Sequence, residues 1–442
     1  MIHPAAPGEF EKRRRPMYVR VLIGVGLGLL AGLLLKSGIL PVAWGTRCNE
    51  IGMTVIRLIK ALATPLILFA VMDAFLRTRI PAKKGFKLIA ISTVNAVIAI
   101  VIGIGVANLL RPGDSWQGKM GEIAAQLNVQ TKAPATPQGA DAPTLDPIQN
   151  ALKFIPDNLI DPFGRNNIIT VVLLAVLVGA ALRKVKDRAT ADDAEGIRQL
   201  DRGIRAVFLV LTQTLEWVVG LIPFAMFFVV AGVVGKTGMG VFGLLGSYVG
   251  TVVLGLGLHA VVYYSILLFV VARVSPLRFF AGALDAVVTA FSTGSSLATL
   301  PVTLKCLHEK LKVTPGSARL AACVGTNLNH DGIILYEAVA VLFLAQALGR
   351  PLAIEGQMLV ALASVMGAIG IAGVPEAGLI TLSLVLGTAG LPADLCLLVV
   401  PVDWLLGRCR AVTNVVSDMT VAQLLDRFEP DTAAGPAPDL LG

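Results

Sequence analysis

Two stretches of the 442-residue chain carry polar and charged side chains where an apolar setting should exclude them. The first, "VDWLLGRCRAVTNVVSDMTVAQLLD", runs from Val402 to Asp426 and reads as a membrane helix with Arg408, Arg410, Asn414 and Asp418 in its middle. A charge near the bilayer centre costs roughly 2.5–3.5 kcal/mol on insertion scales, so such residues mark function. Arg410 and Asn414 are four apart and share a helix face, and a guanidinium fork suits a carboxylate bidentately. Arg408, two positions away, points elsewhere. The second stretch, "NLNHDGIILYEAVAVLFLAQALG", sets Asn327, Asn329, His330, Asp331 and Glu337 inside a predicted span, with Gly332 loosening it. Unwound backbone at membrane depth survives only against protein or a water-filled cavity, and its carbonyls make hard-cation ligands. Asp331 and Asp418 are carboxylates of the kind that hold sodium; each also fits as a buried carboxylate hydrogen-bonded between packed helices.

The elements that must carry these residues follow from composition. With 55% hydrophobic and 15% charged residues and a mean hydropathy of +0.77, the chain reads as an all-α polytopic membrane protein. The net charge of +8 is not set in basic runs interleaved with aromatics, which excludes nucleic acid. Spans are expected at 17–36, 51–75, 86–110, 167–183, 204–233, 241–272, 317–347 and 393–426, eight in all, with the first retained rather than cleaved as a signal peptide. Lys12 to Arg15, the basic residues from Arg77 to Lys87, and those from Arg183 to Arg188 then fall on one side, with both termini cytoplasmic in the cell (inner) membrane. Arg273, Arg278, Lys305, Lys310, Lys312 and Arg319 join them only if 277–310 enters and leaves on that side as a re-entrant hairpin. Its centre, "FSTGSSLATLP", is a poor helix interior. The segment 355–390 repeats the design with "GAIGIAGVPEAG" and turns back on the outer side. Two broken segments in inverted repeats point to a transporter's midplane site; two Gly-kinked ordinary helices fit the same pattern.

The domain reading is a cytoplasmic segment 1–16, three helices over 17–110, an extracytoplasmic loop 111–166, helices four to six over 167–272, a core at 277–426 and a disordered tail 427–442. Cys48, Cys306, Cys323, Cys396 and Cys409 lack CxxC spacing, so neither disulfides nor zinc are indicated. An enzyme is excluded for want of HExxH or GxSxG, with His3, His259 and His308 assigned to other segments.

"SSLATLP", "NHDGIILYEAVAVLFLAQ", "AGVPEAG" and "VDWLLGRCRAVTNVVSD", in that order, resemble the first hairpin tip, broken seventh helix, second hairpin tip and eighth helix of the dicarboxylate/amino acid:cation symporters, which include the glutamate transporters. That resemblance implies a homotrimer in which a rigid part holds an elevator-type transport domain gated by the second hairpin. It implies that Arg410 grips the substrate's distal carboxylate and Asn414 the other, with Ser295 and Ser296 at the first tip and Val374 and Gly378 at the second. One implied sodium site comprises Asn329, Asn414, Asp418 and the backbone at Gly325; a second uses Asp331 and Asn329, with Asn95 as the best offer from the third helix. His330 replaces a methionine of a third site, as a proton carrier, a ligand or a packing residue. Glu337 matches a proton-carrying glutamate, or pairs with a basic neighbour. The expected coupling ion is therefore sodium, with protons open.

Departures from the family pattern bear on substrate. The amino-acid transporters place an aspartate three residues before the arginine to meet the substrate ammonium, where this chain has Gly407; Ala411 and Ile333 replace two threonines. An ammonium without an anionic partner costs several kcal/mol on leaving water. The main expectation is a C4-dicarboxylate such as succinate, fumarate or malate, with glutamate or aspartate as the alternative and a passive anion channel as the reading from another class.

Overall fold

A computed structural model describes residues 17–41, 43–77, 82–127, 158–164, 168–188, 193–327, 329–370 and 377–428. Among them every regular element is helical. The segment 1–16 and the tail beyond 428 lie outside the described residues, as does most of the 111–166 loop.

Helices α1 (Met17–Lys36), α2 (Ala43–Arg77) and α3 (Ala82–Leu110) agree with the first three expected spans, α2 starting earlier than foreseen. A short α4 (Met120–Leu127) precedes α5 (Ile168–Arg188). The expected span 204–233 is instead two helices, α6 (Ala194–Val219) and α7 (Ile222–Thr237). Gly220 and Leu221 form the turn, and Pro223 opens α7 in the first-turn position that proline favours. Helix α1 lies against α7 along a small-residue stripe. A methyl carbon on Gly24, Gly28 or Gly32 would stand 2.3, 2.6 or 2.5 Å from Pro223, Phe227 or Val234. Glycines spaced four apart let two backbones approach where lipid supplies no hydrophobic drive between helices.

Helix α8 begins at Gly240–Gly257 and runs to Ala272 through two wide, π-type turns at Leu258–Tyr263 and Leu268–Ala272. The segment at 277–310 is a helical hairpin. Helix α9 (Pro276–Thr293) stops at Gly294, whose φ of +67° is left-handed, and Ser295 then caps α10 (Ser296–Lys305), which packs back on α9. After α11 (Pro315–Arg319) the chain loosens through wide and 3-10 turns over 320–327, then resumes as α12 (Asp331–Ala347). The expected interruption is thus present just ahead of Asp331, but Gly332, expected to loosen the span, stands in the first turn of α12. Helices α13 (Ile354–Gly370) and α14 (Ala377–Thr388) pack together as the arms of the second broken segment, whose centre, 371–376, lies outside the described residues. The last element among the described residues is α15 (Val400–Phe428).

Helix α12 is apolar on all sides and buried along almost its whole length, as expected of a helix at the centre of a bundle. It touches α3, α8, α13, α14 and α15. Helix α15 is buried from Arg410 to Leu425 apart from Val412. Among the described residues, Val19–Lys36, Lys84–Leu110 and Gly243–Ala272 are long and apolar enough to cross a membrane.

Candidate functional site

The site is assembled where α12 meets α15. A methyl carbon on Gly332 would lie 2.6 Å from the Arg410 carbonyl oxygen, so glycine there is what allows these helices to touch. At this contact the Gly332 N–H donates to Asn414 Oδ1 over 2.9 Å. The first-turn amide of α12 has no acceptor within its own helix, so the asparagine serves as an interhelical cap.

One turn before Asn414, Arg410 donates Nη1–H to Asp403 Oδ1 (2.7 Å) and Nη2–H to Asp403 Oδ2 (3.2 Å). The two side chains are only 4% and 2% exposed. The guanidinium lies 4.0 Å from the centre of the Tyr336 ring, which α12 supplies. Gly378, at the start of α14, faces the same group: a methyl carbon there would stand 2.7 Å from Arg410 Cζ. Arg410 therefore sits at the second broken segment, already neutralised by a carboxylate of its own helix. Asp403 lies seven residues before it, two turns along one face, and is a partner that the residue types alone did not single out. Arg408 does point elsewhere. It donates to the Trp404 carbonyl oxygen (2.5 Å), and a methyl carbon on Gly294 at the first hairpin tip would stand 3.8 Å from its Cγ.

Ser295 spends its hydroxyl on the α10 cap, accepting from Ala298 N–H over 3.2 Å. Ser296 is half-buried in the first turn of α10. Val374 lies outside the described residues.

The oxygen-rich cluster forms beside this pair. Asn329 donates to Ser417 Oγ (2.6 Å) and to Asp418 Oδ1 (3.1 Å), and Ser417 donates to Asp331 Oδ2 (2.8 Å). All four side chains are buried. Oδ1 of Asn329 and Oδ1 of Asp331 have no hydrogen-bond partner among the described residues. Neutral and anionic oxygens with spare acceptor capacity suit a hard cation. Gly325 lies at the loosened end of the α11 segment, close to Leu88 of α3. Asn95 does not join the cluster directly; its Oδ1 accepts from the Tyr263 hydroxyl at 2.9 Å. His330 is buried just ahead of α12, its Nδ1 without a hydrogen-bond partner among the described residues. Glu337 is fully buried beside Ser364 of α13 and Thr381 of α14, on the helix that also carries Tyr336. His259, assigned from sequence to a separate segment, reaches Asp331 from α8. Its mid-span place, followed by Tyr263 and Tyr264, was the available signal.

A buried guanidinium thus stands beside an oxygen-rich cluster, near two broken helical segments. The description that matches the sequence over residues 17–428 is that of the sodium:dicarboxylate symporter family. The chain belongs to that family. As a sodium:dicarboxylate symporter family member it is a sodium-coupled symporter and an integral membrane protein, built for transport rather than catalysis. Its relatives include excitatory amino acid transporter 1 of Ambystoma tigrinum, 29% identical over 85% of this chain and 76% of that protein. Excitatory amino acid transporter 3 of Mus musculus is 30% identical over 83% of this chain and 76% of its own length. A putative sodium-dependent excitatory amino acid transporter, glt-4 of Caenorhabditis elegans, is 34% identical over 66% of this chain and 57% of that protein.

Proposed function

We propose that this symporter carries an acidic amino acid inward with sodium, one substrate carboxylate meeting Arg410 and the other Asn414. The observation that carries the reading is the position of Arg410, buried between Asp403, Tyr336 and Gly378, one turn from Asn414. The names of the relatives favour an acidic amino acid over the C4-dicarboxylate expected from the missing aspartate. The dicarboxylate stays as the second reading on one observation: Gly407 supplies no charge where a substrate ammonium needs one.

In this proposal Ser295, Ser296, Val374 and Gly378 close the substrate site from the two tips. Asn329, Asn414, Asp418 and the Gly325 backbone hold one sodium ion, and Asp331 with Asn329 a second. Glu337 and His330 are the candidates for proton coupling. The protein is a homotrimer of eight spans and two re-entrant hairpins in the cell (inner) membrane, with cytoplasmic termini. The segment 277–426 moves as an elevator against a framework drawn from 17–110 and 167–272.

The test is uptake of labelled aspartate and succinate into liposomes, with sodium and pH gradients imposed separately. Concentrative, sodium-driven uptake with aspartate preferred supports the proposal. Preference for succinate transfers it to the second reading, and flux that never exceeds equilibrium marks a passive anion channel.

A further inference from the structure

One oxygen of Asp331 is held from a helix to which neither substrate nor sodium has been assigned. Oδ2 accepts the Tyr264 O–H at 2.5 Å as well as the Ser417 O–H, and lies 3.2 Å from His259 Nε2. The same Nε2 is 3.0 Å from the Tyr264 hydroxyl oxygen. Because Tyr264 donates its proton to the carboxylate, both oxygens facing Nε2 are acceptors; a proton on Nε2 is shared between them, and imidazole and phenol together clamp Oδ2. His259, Tyr264 and Asp331 are each fully buried.

The backbone makes this clamp possible. Residues five apart on an α-helix are about 140° apart around its axis and cannot aim at one atom. The wide turn at Leu258–Tyr263 adds the extra residue that brings His259 and Tyr264 onto a common face. Tyr263 stacks on the imidazole with ring centres 5.0 Å apart and planes 21° apart, and its hydroxyl donates to Asn95 of α3. The imidazole plane is therefore fixed from behind.

With Oδ2 accepting two hydroxyl donors and facing His259 Nε2 as well, Oδ1 is the oxygen left over, and it is buried without a partner among the described residues, as is Oδ1 of Asn329. Buried acceptors lacking donors are rare unless an ion or water completes them.

We infer that His259, with Tyr264, is a positioning pair for cation coupling: it locks one oxygen of Asp331 so that the other is presented, with Asn329 Oδ1, to the coupled cation. The inference rests on the proposed role of Asp331 as a sodium ligand. Removing a donor that orients a ligand typically weakens metal affinity 10–100-fold, which sets the expected effect.

The experiment measures sodium dependence of uptake by the full-length protein in liposomes. His259→Ala and Tyr264→Phe should each raise the half-saturating sodium concentration about tenfold. The substrate KM at saturating sodium should stay within roughly twofold, a split that general loss of folded protein would not produce. His259→Gln, whose amide N–H can stand in for Nε2–H, should recover most of the shift. Tyr264→Phe carries the test alone if His259→Ala fails to assemble. Wild-type sodium curves in these variants, alongside a lost sodium response in Asp331→Asn, would overturn the inference and leave the sodium role of Asp331 standing. A wild-type response in Asp331→Asn would overturn that role, and the inference with it.

Discussion

Arg410 is held by groups whose removal should have separable consequences. Breaking a buried pair by deleting one partner costs about 3–5 kcal/mol, because the other charge is left unpaired. Arg410→Ala strands Asp403 at 2% exposure and should lower thermal stability in detergent as well as abolish uptake. Adding Asp403→Asn should restore most of the stability but none of the transport; a double variant as unstable as the single one would deny that the pair is the cause. Gly378→Ala perturbs the same arginine differently, since its methyl would meet Arg410 Cζ at 2.7 Å, the movable end of a long side chain. The fold should tolerate it while the guanidinium is pushed aside, raising the substrate KM about tenfold or more with melting unchanged. An unaltered KM would separate Gly378 from substrate binding. The arginine itself was legible in the sequence because a charge in an apolar run is conspicuous. Asp403 was not, since "VDW" at the head of α15 reads as an ordinary helix entry and only two full turns of helix bring it beneath the guanidinium.

At the scale of elements, what the sequence disclosed were the interruptions. Glycine and proline clusters marked both broken segments, because these residues punctuate a helix by local physics alone, whereas the gap before α12 was marked by its polar cluster, with Gly332 falling inside the helix. The division of 204–233 into α6 and α7 escaped the hydropathy pattern, which runs apolar across Gly220 and Leu221 and hides a two-residue turn. The wide turns of α8 also left no mark, since a π-type turn is a register shift imposed by packing and His259 owes its aim to one. The contact of α12 with α15 depends on Gly332, whose substituent would strike backbone, Arg410 O at 2.6 Å, rather than a yielding side chain. Gly332→Ala should therefore force the helices apart, cost about 1–3 kcal/mol and depress transport. Gly105→Ala on α3, where nothing lies within 4 Å, should be neutral or slightly stabilising. Comparison of the two in thermal melts isolates interhelical fit from glycine's helix propensity, and equal melting points would remove close approach as the reason for glycine at 332.

Taken as a whole, the core formed by α12 and α15 is formally overdrawn in negative charge. It buries four carboxyl groups, those of Asp331, Glu337, Asp403 and Asp418, against the guanidinium groups of Arg408 and Arg410. A buried charge without a counter-charge is strongly unfavourable, so an anionic substrate entering this core needs cations to enter with it, a physical reason for symport. Under the proposed function, substrate choice then turns on how much negative charge this core can admit. An acidic amino acid brings one net negative charge and an ammonium; a dicarboxylate brings two negative charges and nothing to balance them. Gly407, three residues before Arg410, is the position at which this balance can be tipped. Gly407→Asp adds an anion one turn from the arginine, offering the ammonium a partner and opposing a dianion, and like-charge juxtaposition costs several kcal/mol. The ratio of aspartate to succinate kcat/KM at saturating sodium should rise by about tenfold or more. If the ratio instead stays at the wild-type value in a variant that still transports, residue 407 does not face the substrate, and Gly407 ceases to be evidence for a dicarboxylate.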